Sequence, residues 1–163
     1  MTDRQSITCR PMTDDDVPFI RDLYATTRDV EMQQVAWSDA EKRQFLDSQF
    51  EAQKHHYDRY YADAEFLIIE KDGQSIGRIY VDKGTADWCL IDIALMPEWR
   101  GSGIGTRLVR DVMDGAAAEG KAVTLFVEYF NPAKHLYDRL GFQPTGTNGV
   151  YYEMIWRPGA ATT

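Results

Sequence analysis

Cysteine is scarce in this 163-residue chain, which has only Cys9 and Cys89. Two thiols give no disulfide framework, and no Cys/His spacing suits a metal site. Both sit in strand-like contexts and are expected as buried free thiols. Positive charge is also short. Eighteen Lys and Arg face 26 Asp and Glu, a net charge of −8. That balance argues against a nucleic-acid partner, which would need a basic face. An acidic surface suits a cationic substrate in principle, but global charge says little about one cleft. No apolar run approaches the roughly 18 residues of a membrane span, and no charged-then-apolar leader opens the chain. A cytoplasmic protein with no membrane partner is the expectation. What remains is ordinary: 44% apolar and 27% charged residues, enough to build one sizeable core.

One stretch organises the rest. Leu90–Met96 is an apolar, strand-like run, and Arg100-Gly101-Ser102-Gly103-Ile104-Gly105-Thr106 follows it as a turn. Then Ile104, Leu108, Val112 and Ala116 recur at i, i+4, one face of an amphipathic helix. Glycines at a helix start let backbone N–H groups approach an anion. The helix N-terminus adds orphan donors and partial positive charge, so this turn is a phosphate cradle by construction. It is not a Walker A loop, which needs Lys-Ser/Thr after the last glycine; here Thr106-Arg107 follow. The dinucleotide fingerprint G-x-G-x-x-G fits poorly, because these glycines run G-x-G-x-G.

Local signals place the other elements. Ser6 to Met12 alternates as a first strand. Thr13-Asp14-Asp15-Asp16 supplies caps, and Pro18 is tolerated only in a first turn, so a helix starts near Asp15 or Asp16 with Val17, Ile20, Leu23 and Tyr24 as its stripe. A polar stretch runs through Gln34. Ser38-x-x-Glu41 is a capping box that predicts a helix over about 39–60, with Leu46, Phe50, Gln53 and Tyr57 on one face. Strands at 66–70 and 76–81 flank the Asp72-Gly73 turn, and 88–95 makes a third antiparallel strand. The long helix closes at Gly120. Residues 122–129 form a strand parallel to 88–95 through a right-handed crossover. A short helix at 133–140 ends at Gly141, and Phe142 and 150–156 give two last strands around a 145–149 turn. Residues 158–163 are small or polar and are expected to fray.

The order Arg100-Gly101-Ser102-Gly103-Ile104-Gly105 resembles the R/Q-x-x-G-x-G/A signature of the GNAT N-acetyltransferase superfamily. Ile93-Ala94-Leu95-Met96-Pro97 looks like the strand that precedes it in that family. The segment Asn131-Pro132-Ala133-Lys134-His135-Leu136-Tyr137-Asp138-Arg139-Leu140-Gly141-Phe142 resembles the family's N-x-x-A-x-x-L-Y-x-x-x-G-F, with Asn131 one residue closer to the tyrosine. The resemblance covers nearly the whole chain. It implies a single domain, with a core at about 6–157. The implied fold is α/β (α+β): a mixed, mostly antiparallel sheet of about seven strands with helices on both faces, splayed between the fourth and fifth strands.

The implied chemistry is acetyl transfer from acetyl-CoA to a primary amine by direct attack on the thioester, with no metal. In this resemblance the backbone of Ile93, Ala94 and Leu95 receives the pantetheine arm as an added strand would. The amides of Gly101, Ser102, Gly103, Ile104, Gly105 and Thr106 receive the diphosphate, with Arg100 and Asn131 as further contacts. Tyr137 donates a proton to the departing thiolate, and a backbone N–H near Leu95 stabilises the oxyanion. Glu128 is the expected general base, ahead of Asp92. Acceptor recognition falls to Glu31, Trp37, Gln53 and Tyr57, with Gln49, His56, Asn148 and Tyr151 as further candidates. A homodimer is possible for such a domain. The alternative is a non-catalytic acyl-CoA-binding regulatory domain on the same fold.

Overall fold

The computed structural model describes residues 6–129 and 131–159. In chain order it contains β1 (Ile7–Pro11), a 3-10 turn (Asp14–Asp16), α1 (Val17–Thr27), α2 (Asp29–Gln33), α3 (Asp39–Tyr60), β2 (Glu65–Lys71), β3 (Gln74–Lys83) and β4 (Trp88–Leu95). A second 3-10 turn (Pro97–Trp99) precedes α4 (Ile104–Ala118), β5 (Val123–Glu128), α5 (Ala133–Leu140), β6 (Gln143–Asn148) and β7 (Tyr151–Trp156). The strands form one mixed sheet in the order β1-β2-β3-β4-β5-β7-β6, with β4 and β5 parallel. No helix among the described residues is long and apolar enough to cross a membrane.

Two compact units can be distinguished. One takes the chain up to Ile79 together with Ile93–Arg100; the other takes Tyr80–Asp92 and the chain from Gly101 onward. In the first, the stripe read from the sequence becomes the core: Ile20 and Tyr24 of α1 meet Leu46 and Phe50 of α3 and Ile68 of β2. The capping box forms, with the Glu41 amide donating to Ser38 Oγ at 3.1 Å and the Ser38 amide to Glu41 Oε1 at 2.9 Å. The Tyr24 hydroxyl donates to Gln49 Oε1 at 3.1 Å, joining α1 to α3.

The first unit also buries a charge. The Arg10 guanidinium donates twice to Asp16, at 2.8 and 2.6 Å, and once to Glu70 at 2.7 Å. Asp16 also accepts the Thr13 amide at 2.8 Å, and its side chain is only 8% exposed. Arg10 first, and then the Thr13 amide, hold the Asp16 carboxyl down at about 2 against the opposing push of burial. That lies below the roughly 3.9 of an unfolded aspartate. The stabilisation is therefore complete above about pH 4 and is lost as the pH falls toward 2. Asp16→Asn is expected to cost about 2 kcal/mol at neutral pH and to flatten that acid limb. Urea melts at pH 7 and pH 3 check both.

In the second unit, α4 buries Leu108, Val112 and Ala116 as the i, i+4 pattern predicts, with Val109 and Met113 beside them. β5 turns Val123, Leu125 and Val127 inward and pairs with β7 along its whole length, from Val123↔Trp156 to Glu128↔Tyr151. Its ladder with β4 is shorter, running from Trp88↔Val123 to Leu90↔Leu125. Ile91 and Asp92 lie past its end.

Four expectations need correction or limit. The polar stretch before Gln34 holds the helix α2, favoured by acids in its first turn, by the Arg28–Glu31 pair at 3.0 Å and by Met32 packing on the core. The last hairpin is tighter than a 145–149 turn: β6 runs to Asn148, which pairs with Tyr151 across Gly149-Val150. As an end strand β6 is exposed throughout and carries Pro144 at an irregular step, so it lacks the alternation that marks a half-buried strand. Cys9 is exposed rather than buried, because β1 is also an end strand and draws in Arg10 instead; Cys89 is half-buried, and burial raises its thiol pKa. The expected frayed tail lies outside the described residues from 160 onward.

Candidate active site

The glycine turn is exposed from Gly101 to Gly103 and needs glycine for backbone reasons at two positions. Gly101 has φ 73° and Gly103 φ 89°, both left-handed. Gly103 is the N-cap of α4 and has no side chain with which to cap it. The amides of Ile104, Gly105 and Thr106 are therefore the first-turn donors that a helix leaves without intrahelical partners. A Cβ built at Gly101, Gly103 or Gly105 would meet nothing within 4 Å. The backbone there is open on the side where a Cβ would stand, and first-turn donors of this kind suit an anion.

Tyr137 lies on α5 in the same unit. It is 6% exposed, and its ring stands 5.7 Å from Phe142 at 60°. α5 ends at Gly141 with φ 99°, and the Phe142 amide returns to the Tyr137 carbonyl at 3.0 Å. This closing turn fixes the tyrosine against the phenylalanine. Burial raises the phenol's pKa above the ordinary tyrosine value, and the negative charge of Asp92 adds to the shift. Tyr137 thus stays protonated through the physiological range, as a proton donor must. Asp92, ranked second from the sequence, is the carboxylate whose charge Tyr137 feels. Glu128 is half-buried at the end of β5.

Asn131 has a structural job. Its Oδ1 accepts the Ala133 amide at 2.9 Å, capping the entry to α5 one residue before Pro132.

In the other unit, Ile93, Ala94 and Leu95 end β4 and are half-buried. The Met96 amide donates to the Ile76 carbonyl at 2.8 Å. Arg100, expected among the cofactor contacts, makes two hydrogen bonds within its own unit. Its Nε donates to the Leu95 carbonyl at 3.0 Å and its Nη2 to Thr26 Oγ1 at 2.9 Å. The guanidinium ties the end of β4 to the end of α1.

Of the acceptor candidates, Glu31, Trp37, Gln49, Gln53, His56 and Tyr57 lie in the same unit, whereas Asn148 and Tyr151 pair with each other in the last hairpin of the other. Glu31 pairs with Arg28, and Trp37 is 41% exposed with its ring edge-on to Phe45 at 5.2 Å. Gln53 accepts from Arg78 Nη2 at 3.0 Å, and that arginine is 3% exposed. The polar residue on the core-facing stripe of α3 thus serves a buried cation on β3. Tyr57 sits in a ring cluster with His56, Tyr61 and Phe66. His55-His56 belongs to no metal-ligating group among the described residues. Sequence reasoning missed Thr26, which holds Arg100, and Gly77, which packs against Ala94 and Leu95 at the end of β4. A lone glycine inside a strand was the available signal for the second.

Comparison with known proteins bears on the family and the fold. The acetyltransferase (GNAT) domain family matches residues 62–144. A Bacillus subtilis (strain 168) protein, named as a candidate ribosomal protein bS18-alanine N-acetyltransferase, is 34% identical over 91 residues. The match covers 55% of this chain and 60% of that relative's length. Among solved structures, the PaiA N-acetyltransferase of Thermoplasma acidophilum in complex with coenzyme A superposes with a TM-score of 0.71 at 19% identity, over 93% of this chain and 99% of that one. The spermidine N-acetyltransferase of Vibrio cholerae, in complex with CoA and spermine, gives 0.62 at 20% identity, over 94% and 96%. At those identities the structural likeness is one of fold. The family match spans half the chain and includes the glycine turn, and the chain therefore belongs to the GNAT acetyltransferase family.

Proposed function

We propose that this protein is a single-domain, acetyl-CoA-dependent N-acetyltransferase acting on a primary amine. The observation that carries the reading is Tyr137: a buried phenol kept in its acid form, on the helix that follows β5. A proton donor there favours this reading over a domain that only binds an acyl-CoA.

The bound acetyl-CoA supplies an acyl group activated as a thioester. The amides of Gly101 to Thr106 hold its diphosphate by direct donation and by the α4 dipole. The backbone of Ile93, Ala94 and Leu95 orients the pantetheine arm, and a β4 N–H near Leu95 donates to the carbonyl oxygen as charge develops on it. Glu128 accepts the proton that the attacking amine must lose, with Asp92 as the competing base. Tyr137 gives its proton to the departing sulfur.

The acceptor is an amine on a small molecule or a polypeptide. The names of the relatives suggest the first two compounds to test: a peptide beginning with alanine, and spermidine. A thioester-cleavage assay over an amine panel containing both tests the reading. Amine-dependent release of free thiol is the expected result. Binding of CoA without turnover of any amine would leave only the regulatory alternative.

A further inference from the structure

The backbone at Ala94 and Leu95 is gripped from two directions, by Gly77 and by Arg100 with Thr26 behind it. On one side is Gly77 of β3. A Cβ built there would lie 2.3 Å from the Ala94 carbonyl oxygen, 2.8 Å from Leu95 Cδ2 and 3.2 Å from Leu95 Cα. The first and last of these are backbone contacts, which cannot rotate away. Any side chain at 77 must therefore push the end of β4 outward. On the other side, Arg100 Nε holds the Leu95 carbonyl, and Arg100 is itself held by Thr26 Oγ1. Thr26 is anchored in turn, because its hydroxyl donates to the Leu23 carbonyl at 2.7 Å. A threonine hydroxyl can donate once and accept from Arg100 at the same time.

We propose that Gly77 and the Thr26–Arg100 pair are positioning residues that set the β4 backbone at Ala94 and Leu95 for acyl transfer. This rests on the acetyltransferase reading, since the same stretch of backbone there aligns the thioester. It also gives the signature arginine a different role, because it fixes a carbonyl on β4 rather than neutralising phosphate. Neither Gly77 nor Thr26 touches a reacting atom, and both act through the β4 backbone. Misplacing reactive groups by about 1 Å costs roughly 10²-fold in rate. The grip on the diphosphate, made by Gly101 to Thr106, is left intact.

The expected signature is a fall in kcat with little change in KM for acetyl-CoA. Gly77→Ala is expected to lower kcat roughly ten-fold or more while acetyl-CoA KM stays within about three-fold. Thr26→Val is expected to lower kcat several-fold, and Thr26→Ser, which keeps the hydroxyl, to restore it. Should Gly77→Ala fail to melt cooperatively, the Thr26 pair decides alone. A folded Gly77→Ala with wild-type kcat, or Thr26→Val and Thr26→Ser behaving alike, overturns the proposal. The amide NMR shifts of Leu95 and Met96 report the clamp without turnover, and Thr26→Val should move both. If the wild-type protein acetylates no amine yet those shifts move, the enzyme reading falls and the clamp stands. If it is active and neither shifts nor kcat respond, the clamp alone falls.

Discussion

Replacing Tyr137 with phenylalanine should lower kcat by roughly 10²-fold, the lower end of what a positioned general acid contributes. Coenzyme A affinity should stay within about three-fold of wild type. The change removes one oxygen from a ring packed on Phe142 and leaves the buried surface in place, so stability at neutral pH should move by less than about 0.5 kcal/mol. The pH dependence gives a second test with a definite sign. The folded phenol holds its proton more tightly than an unfolded tyrosine near pH 10, so burial destabilises the fold as the pH rises past that value. Tyr137→Phe removes that alkaline decline, and melts at pH 8 and pH 10.5 would reveal it. A kcat within about three-fold of wild type would mean that the thiolate takes its proton elsewhere. Asp92→Asn and Glu128→Gln, assayed beside it, assign the base: the true base shows its loss chiefly in kcat and on the acid side of the profile.

The parts of this molecule that could be read in the sequence are those that short-range physics writes. The Ser38–Glu41 box marked the start of α3, and its end fell at Tyr60 as expected. Gly141 gave the end of α5, and the crossover rule gave the parallel β4–β5 pair. The glycine turn was legible for the same reason, since backbone conformation and helix start are local properties. What stayed hidden depends on long-range register. Thr26 and Arg100 are 74 positions apart, and nothing near either names the other. Asp92 and Tyr137 come from a strand and a helix with α4 and β5 between them, so their electrostatic coupling had no sequence signal. Gln53 stood out correctly as a polar residue on an apolar stripe, but its partner on β3 could not be foreseen. β6 was blurred because an exposed end strand carries no alternation to detect.

Ser102→Glu should leave the fold intact and weaken coenzyme A binding by about 100-fold, or roughly 2.7 kcal/mol. Ser102 is exposed, between two left-handed glycines and two residues before the start of α4. A carboxylate there is welcome to the free protein, because it faces the positive end of the helix dipole; stability should hold or rise by a few tenths of a kcal/mol. The same carboxylate competes with a diphosphate for the same amides and repels it. One charge opposing two at about 5 Å amounts to a few kcal/mol at surface dielectrics, so electrostatics dominates any packing change. Ser102→Gln has nearly the same bulk without the charge and should bind within a few-fold of wild type. The gap between the two variants should narrow as salt is raised, since screening acts on charge and not on shape. Isothermal titration of coenzyme A into the three proteins, at low and high salt, measures all of this. Equal affinities for the Glu and Gln variants would show that the diphosphate is held somewhere other than this turn, and the acetyl-CoA reading would lose its anchor.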